Sequence, residues 1–364
     1  MKKISVLLLA LLLVVGLVTG CGKKDEKEDV KDTPTTAPVD TTEPTEGAST
    51  DGTTAAAKTG LAVLTSISKS KDAAADADGL AQVDSTIVAV LVGADGKILD
   101  CKIDAAQTKV NFSMEGKLVT DIATIVKSKQ ELGTDYGMQK ASKIGKEWNE
   151  QANAFAEYVI GKTLDEVTGI AVNEAGAAAD ADLAASVTIG IGTYIAAIEK
   201  AVAAAQDLGA VEGDQLGLAL TTDIANSKDA SAEGDGLAQA YTNISVVTVG
   251  ADGKITSAIT DAVQGNVNFS TAGVITSDLA STPLTKLELK DDYGMKKASK
   301  IGKEWYEQAN AFSAYVTGKT LDEVKGIALN EEGVAADADL AASVSVHVGP
   351  FIANIEKASV NAAK

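Results

Sequence analysis

Hydrophobic and polar positions follow two different periods along this chain. The run STIVAVLVG (85–93) is almost continuously apolar, ADGK follows it, and ILDCKID (98–104) resumes in alternation. Two strands around an Asp-Gly turn are expected there, with Cys101 on the same face as Leu99 and Ile103. VNFSMEGKLV (110–119) reads as a second hairpin with Gly116 at its bend. In YGMQKASKIGKEWNEQANAFAEYVIG (136–161) the spacing lengthens to that of a helix: Ile144, Trp148, Ala152, Phe155 and Val159 share a stripe, and Gly161 closes it. TLDEV (163–167) opens a short second helix, because Thr163 and Glu166 have the spacing of a capping box. AASVTIGIG (184–192) reads as a strand, and TYIAAIEKAVAAAQ (193–206) as an Ala-rich terminal helix. Strands in hairpins followed by segregated helices imply an α+β fold, an antiparallel sheet with packed helices.

The whole pattern occurs twice. Gly60 matches Gly217, Tyr136 matches Tyr293, Gly161 matches Gly318 and Asp180 matches Asp337, each pair 157 residues apart, so the register needs no gap. Between residues 135–170 and 292–327, 30 of 36 positions are identical, and the differences fall at Gln139, Asn149, Ala156, Glu157, Ile160 and Thr168. Units of this length are whole domains, whereas solenoid repeats run at about 20–50 residues. Tandem domains are expected at 60–209 and 217–364, with the boundary near QDLGAVEGDQ (206–215).

The segment before them carries no such pattern. Lys2 and Lys3 precede an apolar run from Ile4 to Val18, and Val18-Thr19-Gly20 leads into Cys21. A run this short suits a cleaved signal (1–20) better than a membrane span. Residues 21–59 are rich in Thr, Asp, Glu and Lys and hold three of the chain's five prolines, Pro34, Pro38 and Pro44. They cannot bury enough surface to offset their ordering entropy and are expected to form a disordered tether, with a mean span of roughly 35 Å as a flexible coil.

Charge and reactive side chains narrow the chemistry. A formal charge of −19 repels phosphate backbones, so nucleic acid is not expected as a partner. Cys101 is matched by Ala258 in the second copy and is expected to be a small buried hydrophobe. The single histidine, His347, is expected in a strand and is matched by Gly190, so histidine metal sites and Ser/His/Asp triads are excluded from any chemistry common to both copies. DADG (76–79) hints at calcium but lacks the spacing of an EF-hand loop, and reads as a turn. Trp148 and Trp305 lie on the apolar helix stripe, where core packing is the first reading; a planar cofactor stacking on one of them is the second.

One duplicated stretch remains, ADADLAASV, ending at Val187 and again at Val344. The pattern YGMKKASKIGKEWYEQANAF, GKTLDEVKGI, DADLAASVSV, together with VTGC at the lipidation position, resembles the paired FMN-binding domains of Gram-positive surface lipoproteins used in flavin-based extracellular electron transfer, the pheromone-encoding lipoprotein family. The resemblance spans nearly the entire chain. It implies lipidation of Cys21, a location on the outer face of the cell membrane, and one covalent FMN per domain, attached by an ApbE-type FMN transferase to a hydroxyl in a D-x-x-[ST]-G-A-[ST] motif. Two registers fit. Read from Asp182 and Asp339, the acceptors are Thr188 and Ser345; read from Asp180 and Asp337, they are Ser186 and Ser343. The first is favoured because electron-transfer relatives tend to end the motif in threonine before a strand. The implied role is an electron carrier without a substrate of its own, taking electrons from a membrane quinol-oxidising donor and passing them to an extracellular acceptor such as iron. The alternative from another class is a solute-binding or adhesive surface lipoprotein without flavin, with LVVGLVTG before Cys21 as a further candidate, a released peptide pheromone.

Overall fold

A computed structural model describes residues 54–363. The signal segment, Cys21, LVVGLVTG and almost all of the tether lie outside the described residues. Among the described residues no helix is long and apolar enough to cross a membrane.

Each repeat is a three-stranded antiparallel meander with helices on one face, an α+β arrangement. In the first, β1 (Lys58–Ser66), β2 (Gly79–Val92) and β3 (Ile98–Phe112) pair in order. After them come α1 (Lys129–Leu132), α2 (Trp148–Val159), α3 (Leu164–Thr168), α4 (Ala181–Ala184) and α5 (Gly192–Ala203). The second repeats this with β4 (Gln215–Asp223), β5 (Gly236–Val249) and β6 (Ile255–Phe269). Its helices are α6 (Lys286–Leu289), α7 (Trp305–Val316), α8 (Leu321–Lys325), α9 (Ala338–Ala341) and α10 (Gly349–Ala362).

The turn at 93–97, the short helix capped by Thr163 and Glu166, and the Ala-rich terminal helix stand where the pattern places them. The first strand, β1, lacks a turn signal of its own and begins at Lys58, two residues inside the expected tether. The expected second hairpin is reduced to a tight turn at Gly116, with φ of 66°, and a single bridge between Phe112 and Leu118. The long helix expected from Tyr136 starts only at Trp148, leaving Ile144 outside it. Gly137 and Gly145 take φ of 73° and 66°, which a continuous helix does not permit. The buried Glu147 carboxylate then receives the N–H groups of Met138 and Gln139 at 2.8 and 3.0 Å, folding the preceding segment back onto the helix start.

Alternation in the strands sends side chains to two cores. Val88, Val90, Ile103 and Cys101 meet Trp148, Phe155, Ile198 and Ala201 of the helices. Ile87, Ala89 and Leu91 point the other way and meet Leu216, Leu218, Ile244 and Val246 of the second sheet. Leu99 faces that second core rather than sharing a face with Cys101, because the register shifts between Leu91 and Val92 and leaves Leu99 as the extra residue of a bulge. Cys101 itself is buried, and burial holds its thiol protonated, well above the ordinary range.

The two repeats therefore share one compact unit. Phe112 and Phe269 stack across its centre with centroids 4.2 Å apart and planes 6° from parallel. The contacts around them come in pairs 157 residues apart. Asp229 accepts from Leu118 N at 2.8 Å, and Asp72 accepts from Ile275 N at 2.7 Å. Lys357 pairs with Glu131 and Lys200 with Glu288. Gly60 and Gly217 let the terminal helices lie against the first strand of each sheet, since a Cβ there would collide with the Ala201 and Ala358 carbonyls.

One buried carboxylate ties each sheet to its first helix. Asp104 accepts from Ala105 N at 2.7 Å and Gln130 N at 3.1 Å; Asp261 does the same with Ala262 N at 2.7 Å and Leu287 N at 3.0 Å. Burial pushes Asp104 up to about 6 and Asp261 up to about 7, against the hydrogen bonds that favour their charged forms. An unfolded aspartate titrates near about 3.9, so the folded chain binds the extra protons. Stability from these two groups is complete below about pH 4 and declines until about pH 7. Replacing both with Asn should flatten urea-unfolding stability across that interval. Phe269→Ala should cost about 3–5 kcal/mol, and denaturation followed by tryptophan fluorescence should show Trp148 and Trp305 reporting one shared transition.

Candidate functional site

AASVTIGIG (184–192), expected as a strand, forms none, and the duplicated stretch leading into it holds a short capped helix. Asp180 is the N-cap of α4, accepting from Asp182 N at 3.1 Å and Leu183 N at 3.0 Å, and Asp337 caps α9 through Asp339 N and Leu340 N at the same distances. Leu183 and Leu340 anchor these short helices in the cores. The residues that follow run irregularly into α5 and α10, with one bridge between Ala177 and Gly190. His347 is accordingly exposed on this irregular run and belongs to no strand.

The backbone donors that a sheet ladder would have used go to a side chain instead. Gln151 sits on the buried face of α2, and its Oε1 accepts from Thr188 N at 2.8 Å, Ile189 N at 3.2 Å and the Thr188 hydroxyl at 3.1 Å. Its Nε2 donates to Ser142 Oγ and the Lys146 carbonyl, both at 3.0 Å, which fixes the amide orientation. Gln308 reproduces this on α7. Its Oε1 accepts from Ser345 N at 2.8 Å and Ser345 Oγ at 3.2 Å, and its Nε2 donates to Ser299 Oγ and the Lys303 carbonyl. Gln151 and Gln308 are both fully buried.

Thr188 and Ser345 are half-buried, and their backbone N–H groups and hydroxyls are pinned by the same amide oxygen. Ser186 and Ser343 are half-buried too, but sit at the turn leaving the short helix, where Ser186 Oγ donates to the Leu183 carbonyl at 3.2 Å. Asp182 and Asp339 are exposed and contribute backbone N–H groups to the cap, whereas Asp180 and Asp337 hold it with their carboxylates. The eight residues of the two registers thus fall into distinct roles, and one hydroxyl in each repeat shares a buried amide partner.

The buried glutamines were not singled out from the sequence. A signal was present: each is a polar residue on an apolar stripe, three places after a tryptophan, at the same position in both repeats. The glutamines also connect the hydroxyls to a basic loop. Lys140, Lys143 and Lys146 precede α2, and Lys296, Lys297, Lys300 and Lys303 precede α7, in a chain of net charge −19. Lys300 pairs with Glu332 at 2.8 Å, next to the turn that enters the second motif. An open cleft of about 540 Å³ beside Asp337 is lined by Tyr315, Lys319 and Ala336, with Lys319 Nζ 4.4 Å from the centre of the Tyr315 ring.

The tryptophans pack in the cores, with 2% and 3% of their surface exposed. Trp148 Nε1 donates to Tyr194 Oη at 3.0 Å, and Trp305 meets Phe351 edge-on with centroids 5.8 Å apart. Lysine ammonium groups occupy the aromatic faces: Lys129 lies 5.2 Å from Trp148, and Lys286 lies 4.5 Å from both Tyr241 and Tyr293 and 5.0 Å from Trp305. Burial brings Lys286 down to about 8. No tryptophan face is left for a stacked cofactor. Among the described residues no His, Cys, Asp or Glu cluster suits a metal ion, DADG included.

Gln151→Leu should cost about 2–3 kcal/mol, because it leaves two backbone donors and a half-buried hydroxyl without their acceptor; the loss is measurable by denaturant titration, and Gln308→Leu, which releases one backbone donor and a hydroxyl, should cost less.

No family model matches this chain, and no solved structure matches it either. Over 41 residues it is 51% identical to the chlorophenol reductase of Desulfitobacterium hafniense, a stretch covering 11% of this chain and 12% of that protein's length.

Proposed function

We propose that the chain is an electron carrier with one FMN esterified to Thr188 and one to Ser345, anchored at the outer face of the cell membrane through lipidated Cys21. The observation that carries this reading is the pair of half-buried hydroxyls held by Gln151 and Gln308 in matching geometry in both repeats. The local similarity to a reductase supports a redox role in the coarser sense.

The attachment is a phosphoryl transfer performed by a separate ApbE-type transferase on FAD. The hydroxyl oxygen attacks the FMN-side phosphorus, the pyrophosphate P–O bond breaks, AMP leaves, and the hydroxyl proton passes to solvent or the transferase. The amide oxygen of Gln151 or Gln308 is a hydrogen-bond acceptor that orients the hydroxyl and is too weakly basic to take its proton. The loop lysines supply positive potential for a phosphate. Bound flavin would contribute one- and two-electron chemistry, and covalent linkage would keep it from diffusing away outside the cell. A membrane quinol-oxidising donor and an extracellular acceptor such as iron complete the proposed path.

Co-expression of the chain with an ApbE-type transferase should add two FMN-derived masses and a flavin absorption in the blue. Thr188→Ala and Ser345→Ala should each remove one increment by intact-mass measurement. Retention of both in the double variant moves the attachment to Ser186 and Ser343. An unmodified, colourless chain overturns the flavin reading in favour of a flavin-free solute-binding or adhesive lipoprotein.

A further inference from the structure

A cavity of about 740 Å³ opens between the two repeats, bounded by β3, α1 and α2 on one side and by Leu218 and the end of α10 on the other. Its volume falls within the range of small-molecule sites. The lining is amphipathic. Ile103, Ala156 and Leu218 form apolar wall, and Ile160 and Val360 are among the most exposed large hydrophobic side chains, at 43% and 48%.

The charged groups facing it are Asp100, Lys102, Asp104, Glu131, Glu157 and Lys357. Both lysines are already engaged: Lys102 with Asp100 at 3.6 Å and Lys357 with Glu131 at 2.7 Å. Among the described residues neither Asp104 nor Glu157 forms an ion pair, and the charge of Lys357 reaches Asp104 only at longer range. Two carboxylates without a cationic partner thus face a space whose other charges are paired, Asp104 being hydrogen-bonded to Ala105 N and Gln130 N but not neutralised by them.

The repeat itself provides a comparison. Of the six differences between the most similar stretches, three (Ala156, Glu157 and Ile160) lie on this cavity, where the other copy has Ser313, Ala314 and Thr317. Asp100 and Lys102 are likewise replaced by Ser257 and Ile259. Within that most similar stretch, half of the differences fall where the first copy lines this space.

We propose that the cavity between the repeats binds a small organic cation, an amine with an apolar body whose ammonium group sits between Asp104 and Glu157 and whose hydrocarbon part lies against Ile160, Leu218 and Val360. Asp104 supplies a fixed carboxylate, held by the backbone N–H groups of Ala105 and Gln130. Glu157, exposed on the outer face of α2, supplies one able to adjust. The site stands apart from Thr188 and Ser345 and does not require flavin.

Isothermal titration of the full mature chain with 2-phenylethylamine, against 2-phenylethanol of the same shape, tests this. The amine should bind at a single site at least about tenfold more tightly than the alcohol. The variant D100S/K102I/E157A/I160T, which gives four positions of the first copy's wall the second copy's residues, should abolish the amine heat while thermal unfolding is retained. Glu157→Ala alone should weaken amine binding if the fourfold variant fails to fold, and Val360→Trp should block amine and alcohol alike. Equal affinity for the two compounds, no heat from the amine, or amine binding that survives removal of Glu157 would overturn the proposal.

Discussion

A three-stranded sheet with apolar residues on both faces cannot stand alone in water, and everything else in this molecule follows from that constraint. One face of each sheet is covered by its own helices. The other is covered by the sister sheet, through Ile87, Leu91, Leu218, Val246 and the stacked Phe112 and Phe269. Ile87 to Val92 are therefore buried without a break, which is why this part of β2 reads as a continuous apolar run rather than as clean alternation. Fusion of the copies into one chain makes this covering intramolecular and removes the entropy loss of bringing two separate subunits together.

Duplication gives the interface its form. Contacts such as Leu118 to Asp229 and Ile275 to Asp72 are the two halves of one symmetric pattern, as in a dimer of identical subunits. The symmetry is broken locally. Trp148 hydrogen-bonds to Tyr194 while Trp305 meets Phe351; Lys286 is caged by three aromatic rings while Lys129 meets two.

The hydroxyl pair shows how a packed interior can prepare a half-buried group. Gln151 and Gln308 are polar residues placed at positions that packing alone would fill with Leu or Met. Their burial is tolerated because all of their hydrogen-bonding capacity toward the loop is used: Nε2 toward the lysine-bearing segment, Oε1 toward the segment with the hydroxyl. Two loops far apart in sequence are thereby fixed to one helix, and a hydroxyl without a basic partner is held in a defined orientation.

The sequence alone determined the α+β class, the 157-residue repeat, the strands flanking the Asp-Gly turn, the capping box at Thr163 and the terminal helices. Each of these depends on local chemistry: apolar periodicity, a turn residue or a cap within three or four positions. Only the tertiary structure decided that the helix begins at Trp148, that AASVTIGIG is irregular, that Leu99 turns away from Cys101, and that the repeats share a core. Those outcomes depend on distant partners. Gln151 takes the donors a ladder would have used, the Glu147 carboxylate draws the preceding loop back, a bulge shifts the strand register, and a second sheet covers a face whose apolar residues could not by themselves name what would bury them.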